Sequence, residues 1–140
     1  FEGESVAAGQ AEGTLLGGNL TVLGSLAGTG YLPSFDGAIL LIEDIGERPY
    51  RLDRTLTQLL QSGALRGLKG VVIGQLTRCD APGEAEYGPV DVIADILGPL
   101  GIPVASGFPF GHEEGARAVV LGATAQLDER GMLTVRTGEE

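Results

Sequence analysis

The 140-residue chain predicts an α/β fold with a mixed sheet, and three observations carry that prediction. Residues 38–42 are five apolar positions without a polar interruption, which marks a strand buried on both faces. Stretches with helical spacing of leucine and isoleucine, 50–60 and 90–97, alternate with further strand candidates at 69–75 and 102–106. From residue 118 the chain changes character: 118–121, 123–127 and 132–135 are short segments joined by glycine turns, which suggests an antiparallel meander. Helical crossovers suit parallel strands and short turns suit antiparallel ones, so the sheet is expected to be mixed.

Taken in order, residues 1–13 are rich in Gly, Glu and Ala without periodicity, and read as a loose linker. Residues 14–16 are a short strand candidate. Gly17 and Gly18 break it, and Asn19 can cap a helix over 20–26 by accepting a backbone N–H. Two glycines before a cap also let backbone approach a ligand closely. The central strand ends on Glu43 and Asp44. The helix over 50–60 stacks Leu52, Leu56, Leu59 and Leu60 on one face. Residues 77–88 are polar and turn-rich. Pro99 follows the helix over 90–97, and the strand over 102–106 leads into the compact loop 107–112.

Composition narrows the function classes. A 43% hydrophobic chain of this length suits one domain with one core, and its 24 glycines and 7 prolines imply many tight turns. The net charge of −10 argues against nucleic acid or an anionic membrane surface as partner. No apolar stretch approaches the ~20 residues that cross a bilayer. The lone Cys79 cannot form an internal disulfide and suits a reducing compartment, the cytoplasm. The chain opens on Phe1 with no signal-peptide pattern, and the abrupt start suggests a piece of something longer.

His112 is the only imidazole, so general-base work near neutral pH falls to it first. If the strand ends carrying Glu43 and His112 share one edge, the carboxylate can hold the imidazole N–H, as in a nucleophile–His–acid triad. The alternative is a solvated strand-end carboxylate and a loop histidine without a partner. In that case the fold is a binding module, docking through a face that includes Phe108, Pro109 and Phe110. The separation of the two groups distinguishes the readings.

No serine lies in a Gly-x-Ser-x-Gly turn, and neither Ser106 nor Cys79 has a nucleophile motif around it. A second histidine for a metal site is missing, so no metal is expected. Gly28 and Gly30 fall short of a dinucleotide fingerprint, because Pro33 stands at the third glycine position. No cofactor is expected.

Together, residues 17–20, 39–44, 51–54 with Gln58 and Leu59, 71–74 and 107–112 resemble the C-terminal half of the LD-carboxypeptidases. These are serine peptidases that trim the terminal D-alanine from murein tetrapeptides, with the microcin C self-immunity peptidases in the same family. The resemblance implies a swivelling β/β/α domain over 14–140, with 1–13 leading in from a nucleophile-bearing N-terminal domain. It implies Glu43 as triad acid, His112 as triad base, and Gly17, Gly18 and Asn19 beside the substrate cleft. It also implies a homodimer in the full-length form and murein peptide as substrate, whose terminal carboxylate needs a cation to receive it, with Arg48, Arg51, Arg54 and Arg78 as candidates. The serine and oxyanion hole belong to the preceding domain, so the chain on its own is expected to be inactive.

Overall fold

The computed structural model describes residues 1–83 and 86–138. Parts of two expectations lie outside the described residues: positions 84 and 85 of the turn-rich stretch, and the last two of 14–140. A seven-stranded mixed sheet has the spatial order β1-β5-β4-β3-β2-β6-β7. The strands are β1 (Glu4–Ala7), β2 (Ala11–Asn19), β3 (Ala38–Ile45), β4 (Gly70–Thr77), β5 (Val104–Ser106), β6 (Thr124–Leu127) and β7 (Leu133–Arg136). Between β2 and β5 the chain alternates with helices α1 (Leu20–Leu26), α2 (Pro49–Gln61) and α3 (Pro89–Leu97). The strands β2, β3, β4 and β5 are parallel neighbours in chain order. Each crossover therefore steps one strand in the same direction, which brings all three helices to one face.

The α/β class and the mixed sheet follow from where apolar side chains fall. On β3, Ala38, Leu40 and Ile42 pack with Leu20 and Leu23 of α1, Leu52, Leu56 and Leu59 of α2, and Val92, Ile93 and Leu97 of α3. Ile39 and Leu41 face the opposite way, against Leu15, Val72, Phe108, Phe110, Leu127 and Leu133. That second core explains why β3 shows no alternation: both of its faces are covered. The sheet curls over it. Glu2 bridges Met132, and Phe1 exchanges both backbone hydrogen bonds with Leu133, so the chain before β1 meets β7.

The helices begin where the sequence says. Asn19 Oδ1 accepts from Val22 N at 3.0 Å and caps α1. Pro49 and Pro89 open α2 and α3, where a missing N–H costs nothing.

Three expectations are corrected. Residues 1–13 are not loose: β1 pairs antiparallel with β5, and β2 already starts at Ala11. An edge strand is held by backbone bonds, so Glu4, Ser5 and Val6 stay exposed, only Ala7 is partly buried, and no buried face marks the strand in the sequence. Gly17 and Gly18 do not break β2, which continues through them to Asn19. Residues 118–121 form no strand, so two of the three tail segments remain as the antiparallel hairpin β6–β7. An apolar β-branched run becomes a strand only where a neighbour offers its backbone.

Candidate active site

Glu43 continues the series Ile39, Leu41 on β3, and so emerges on the concave face at the carboxyl end of the parallel strands. Open α/β sheets bind ligands at that edge. Its side chain is only 10% exposed. Asp44, the next residue, faces the other way and is buried. It accepts from Asn19 Nδ2 at 3.1 Å, Thr21 N at 2.9 Å, Thr21 Oγ1 at 2.7 Å and Ile45 N at 2.9 Å. These bonds tie the start of α1 to the end of β3.

His112 reaches the same edge on a loop that crosses the end of β4. Buried Phe108 and Phe110 anchor the loop, stacked with centroids 6.0 Å apart, and Phe1 meets Phe110 edge-on at 4.8 Å. Phe108 N donates to Ile73 O at 3.2 Å, and Gln75 N donates to Phe110 O at 2.7 Å. Gly74 permits the crossing, because a Cβ there would fall 2.3 Å from Phe110 O. The loop delivers His112 Nδ1 to 2.8 Å from Glu43 Oε2. A carboxylate accepts only, so Nδ1 carries a proton, and in the neutral ring Nε2 keeps its lone pair. No bond joins Nε2 to any other side chain among the described residues, and the imidazole side chain is 44% exposed. The imidazole thus has one fixed nitrogen and one available to a reacting proton.

In the sheet, Gly18 stands opposite Ile42 and Asn19 opposite Glu43, so Gly17, Gly18 and Asn19 do lie along this edge. The Asn19 side chain is already engaged at both ends, with Oδ1 on Val22 N and Nδ2 on Asp44. Most of its hydrogen-bonding capacity therefore holds the β2–α1 junction.

Other sequence candidates are not brought to the dyad. Phe108 and Phe110 belong to the core, so they cannot form an exposed docking face. Ser106 ends β5 opposite Glu4 and makes no hydrogen bond to His112. Arg48, Arg51, Arg54 and Arg78 are exposed, and Arg51 is engaged by Tyr50 and by Glu47 at 3.8 Å.

Cys79 is fully buried and donates to Thr77 O at 3.6 Å. Burial pushes its thiol up, partly offset by a backbone hydrogen bond at Glu47, with Asp44, Asp80 and Glu47 adding to the rise. The thiolate is the nucleophile, so Cys79 is inert in the fold. At pH 8 the folded chain should react with a thiol reagent on the order of 100-fold more slowly than the chain in denaturant. Equal rates would show an accessible thiolate. The folded thiol titrates above the unfolded one, so its contribution to stability is complete below the unfolded value. That contribution is lost as pH rises through the folded one.

Two residues with structural roles here, Asp44 and Gln75, were not singled out by the sequence. Asp44 had a signal, a second carboxylate directly after a buried run. Gln75 had none, since it reads as the polar end of a strand.

A carboxylate-bonded imidazole at the carboxyl edge of an α/β sheet has the form of the acid–base pair in nucleophile–His–acid hydrolases. The chain belongs to the family described as LD-carboxypeptidase C-terminal domain, whose sequence profile matches residues 12–127. It is 44% identical over 128 residues to a Synechocystis protein provisionally named a carboxypeptidase, spanning 90% of this chain and 42% of that protein. Murein tetrapeptide carboxypeptidase of Pseudomonas aeruginosa is 38% identical over 120 residues, spanning 85% and 39%. The muramoyltetrapeptide carboxypeptidase structure from Oxalobacter formigenes superposes with a TM-score of 0.80 at 36% identity, over 94% of this chain and 47% of that one. The microcin C7 self-immunity protein MccF, solved with glutamyl sulfamoyl guanosine, gives 0.84 at 25% identity, over 98% and 41%. The chain spans less than half the length of these relatives. Among the described residues, no helix is long and apolar enough to cross a membrane.

Proposed function

We propose that this domain supplies the acid and base of a Ser–Glu–His triad in a serine LD-carboxypeptidase. The enzyme releases the terminal D-amino acid from murein peptides during cytoplasmic peptidoglycan recycling. The observation that carries this reading is the 2.8 Å bond between Glu43 Oε2 and His112 Nδ1. The serine comes from a preceding domain for which residues 1–13 lead in. As it attacks the peptide carbonyl, His112 Nε2 takes its proton and then returns it to the leaving D-amino acid. Glu43 holds the ring in the tautomer that leaves Nε2 basic, and stabilises the imidazolium. Gly17, Gly18 and Asn19 form the adjoining cleft wall, through backbone more than side chain. The full-length protein acts as a homodimer.

The test is D-alanine release from a murein tetrapeptide by the full-length protein. Release is expected from the full-length protein and absent with the 140-residue chain alone. Hydrolysis by that chain alone would remove the need for an outside serine. The MccF likeness favours a second substrate class, an aminoacyl nucleotide analogue. The chain has no Trp to stack on a base, which leans toward murein peptide. Offering both substrates to the full-length protein, and comparing kcat/KM, decides between them.

A further inference from the structure

We infer that Gln75 is the positioning residue that aims His112 at Glu43, and this rests on the acid–base reading above. The register between β3 and β4 slips at this point. Ile42 faces Ile73 and Asp44 faces Leu76, so Gly74 and Gln75 together oppose Glu43. This is a β-bulge, which re-aims side chains. Val71, Ile73 and Leu76 pack toward the helices and Val72 toward the concave core. Regular alternation would send Gln75 to the helical face. The bulge keeps it on the concave face with Gly74. A Cβ on Gly111 would fall 2.8 Å from Gln75 Cβ and 3.4 Å from Glu43 Oε2.

From there Gln75 grips the loop on both sides of the imidazole. Its backbone N–H donates to Phe110 O at 2.7 Å, two residues before His112. Its side-chain Oε1 accepts from Glu113 N at 3.0 Å, one residue after. A backbone N–H can only donate, so the amide orientation is fixed by chemistry. Thr77 Oγ1 adds a bond to Glu113 Oε1 at 3.1 Å. Residues 111–118 are exposed. Further downstream the loop is also tied by Arg117, whose N–H donates to Pro109 O at 2.7 Å and whose guanidinium lies 4.7 Å over the Phe1 ring. The bonds next to His112 are those of Gln75. A site held to a fraction of an ångström needs such supports.

The test reads the geometry of the 140-residue chain by NMR, with no need of a serine or a substrate. Its failure is therefore distinguishable from failure of the peptidase reading. In wild type, the His112 Nδ1–H proton should appear as a downfield resonance and the Glu113 amide should be protected from exchange. Gln75→Met keeps side-chain length and removes the acceptor. It should broaden or abolish the Nδ1–H signal and speed Glu113 amide exchange about tenfold, with an unchanged cooperative melt. Gln75→Glu restores an oxygen and should restore both signals. Wild-type signals in Gln75→Met would overturn the inference. If that variant does not fold, Gln75→Glu decides: both signals retained supports the clamp, and their loss in a folded chain overturns it.

Discussion

If His112 is the base of the proposed triad, replacing it by alanine in the full-length protein should lower kcat by about a millionfold, the scale seen when a triad base is removed elsewhere. Glu43→Gln should lower it by about ten-thousandfold, as an acid-to-amide change does in a comparable triad. The smaller loss has a physical cause. The Nδ1 of His112 lies 2.8 Å from Glu43 Oε2 and must donate to it. A glutamine can present its NH₂ instead, which favours the tautomer with the proton on Nε2. The ring is still there, but its basic nitrogen faces the wrong way. The loss should fall on kcat with KM little changed, since the proton transfer exists only in the transition state. The double variant should be no slower than His112→Ala, because the acid acts only through the base. Residual activity within tenfold of wild type in both single variants would take the pair out of the mechanism. Melting of each variant controls for folding. The imidazole is half-exposed, so its removal leaves the cores untouched.

The convergence behind that prediction lies partly beyond the reach of sequence. The run ending at Glu43 reads directly as a strand covered on both sides, and β3 is buried from Ala38 to Asp44. The Asn19 cap and the leucine stripe of α2 are equally direct, because each is a local interaction at fixed spacing. Glu43 and His112 are 69 residues apart. Spacing alone left the partnerless loop histidine open, and the family resemblance was what paired them. The misses share one cause: they depend on a neighbour the local sequence does not name. Strand β1 is exposed at three of its four residues, and only an edge partner makes it regular. Residues 118–121 have strand-forming side chains and no partner. The bulge at Gln75 exists because a loop from 35 residues later needs anchoring there, and no local pattern announces it. Glycine misled in the same way. Gly17 reads as a stop, yet it stands in the strand because β3 presses against it.

Gly17→Ala should therefore be the most damaging single change to the fold. A Cβ there would stand 1.9 Å from Leu41 O and 2.8 Å from Leu41 N and C, all backbone of the central strand. No rotamer relieves a clash between a Cβ and backbone, so β2 must lift off β3. Gly17 also has φ of +139°, which an L side chain rarely adopts. Strain of about 1–3 kcal/mol from the dihedral adds to roughly 1–3 kcal/mol from overpacking. A domain stable by about 5–15 kcal/mol loses much of its margin to that sum. Gly18→Ala is the internal comparison. Its φ of +144° is just as unfavourable, but an added Cβ meets nothing within 4 Å. It should show the dihedral cost alone, about 1–3 kcal/mol, and remain folded. Urea unfolding followed by circular dichroism reads the difference, and equal midpoints for the two variants would refute the close approach. The contact matters beyond stability. Only while β2 lies flat against β3 does Asn19 stand opposite Glu43 with its amide on Asp44. A chain that survives Gly17→Ala by lifting β2 should also lose the register of the candidate cleft wall.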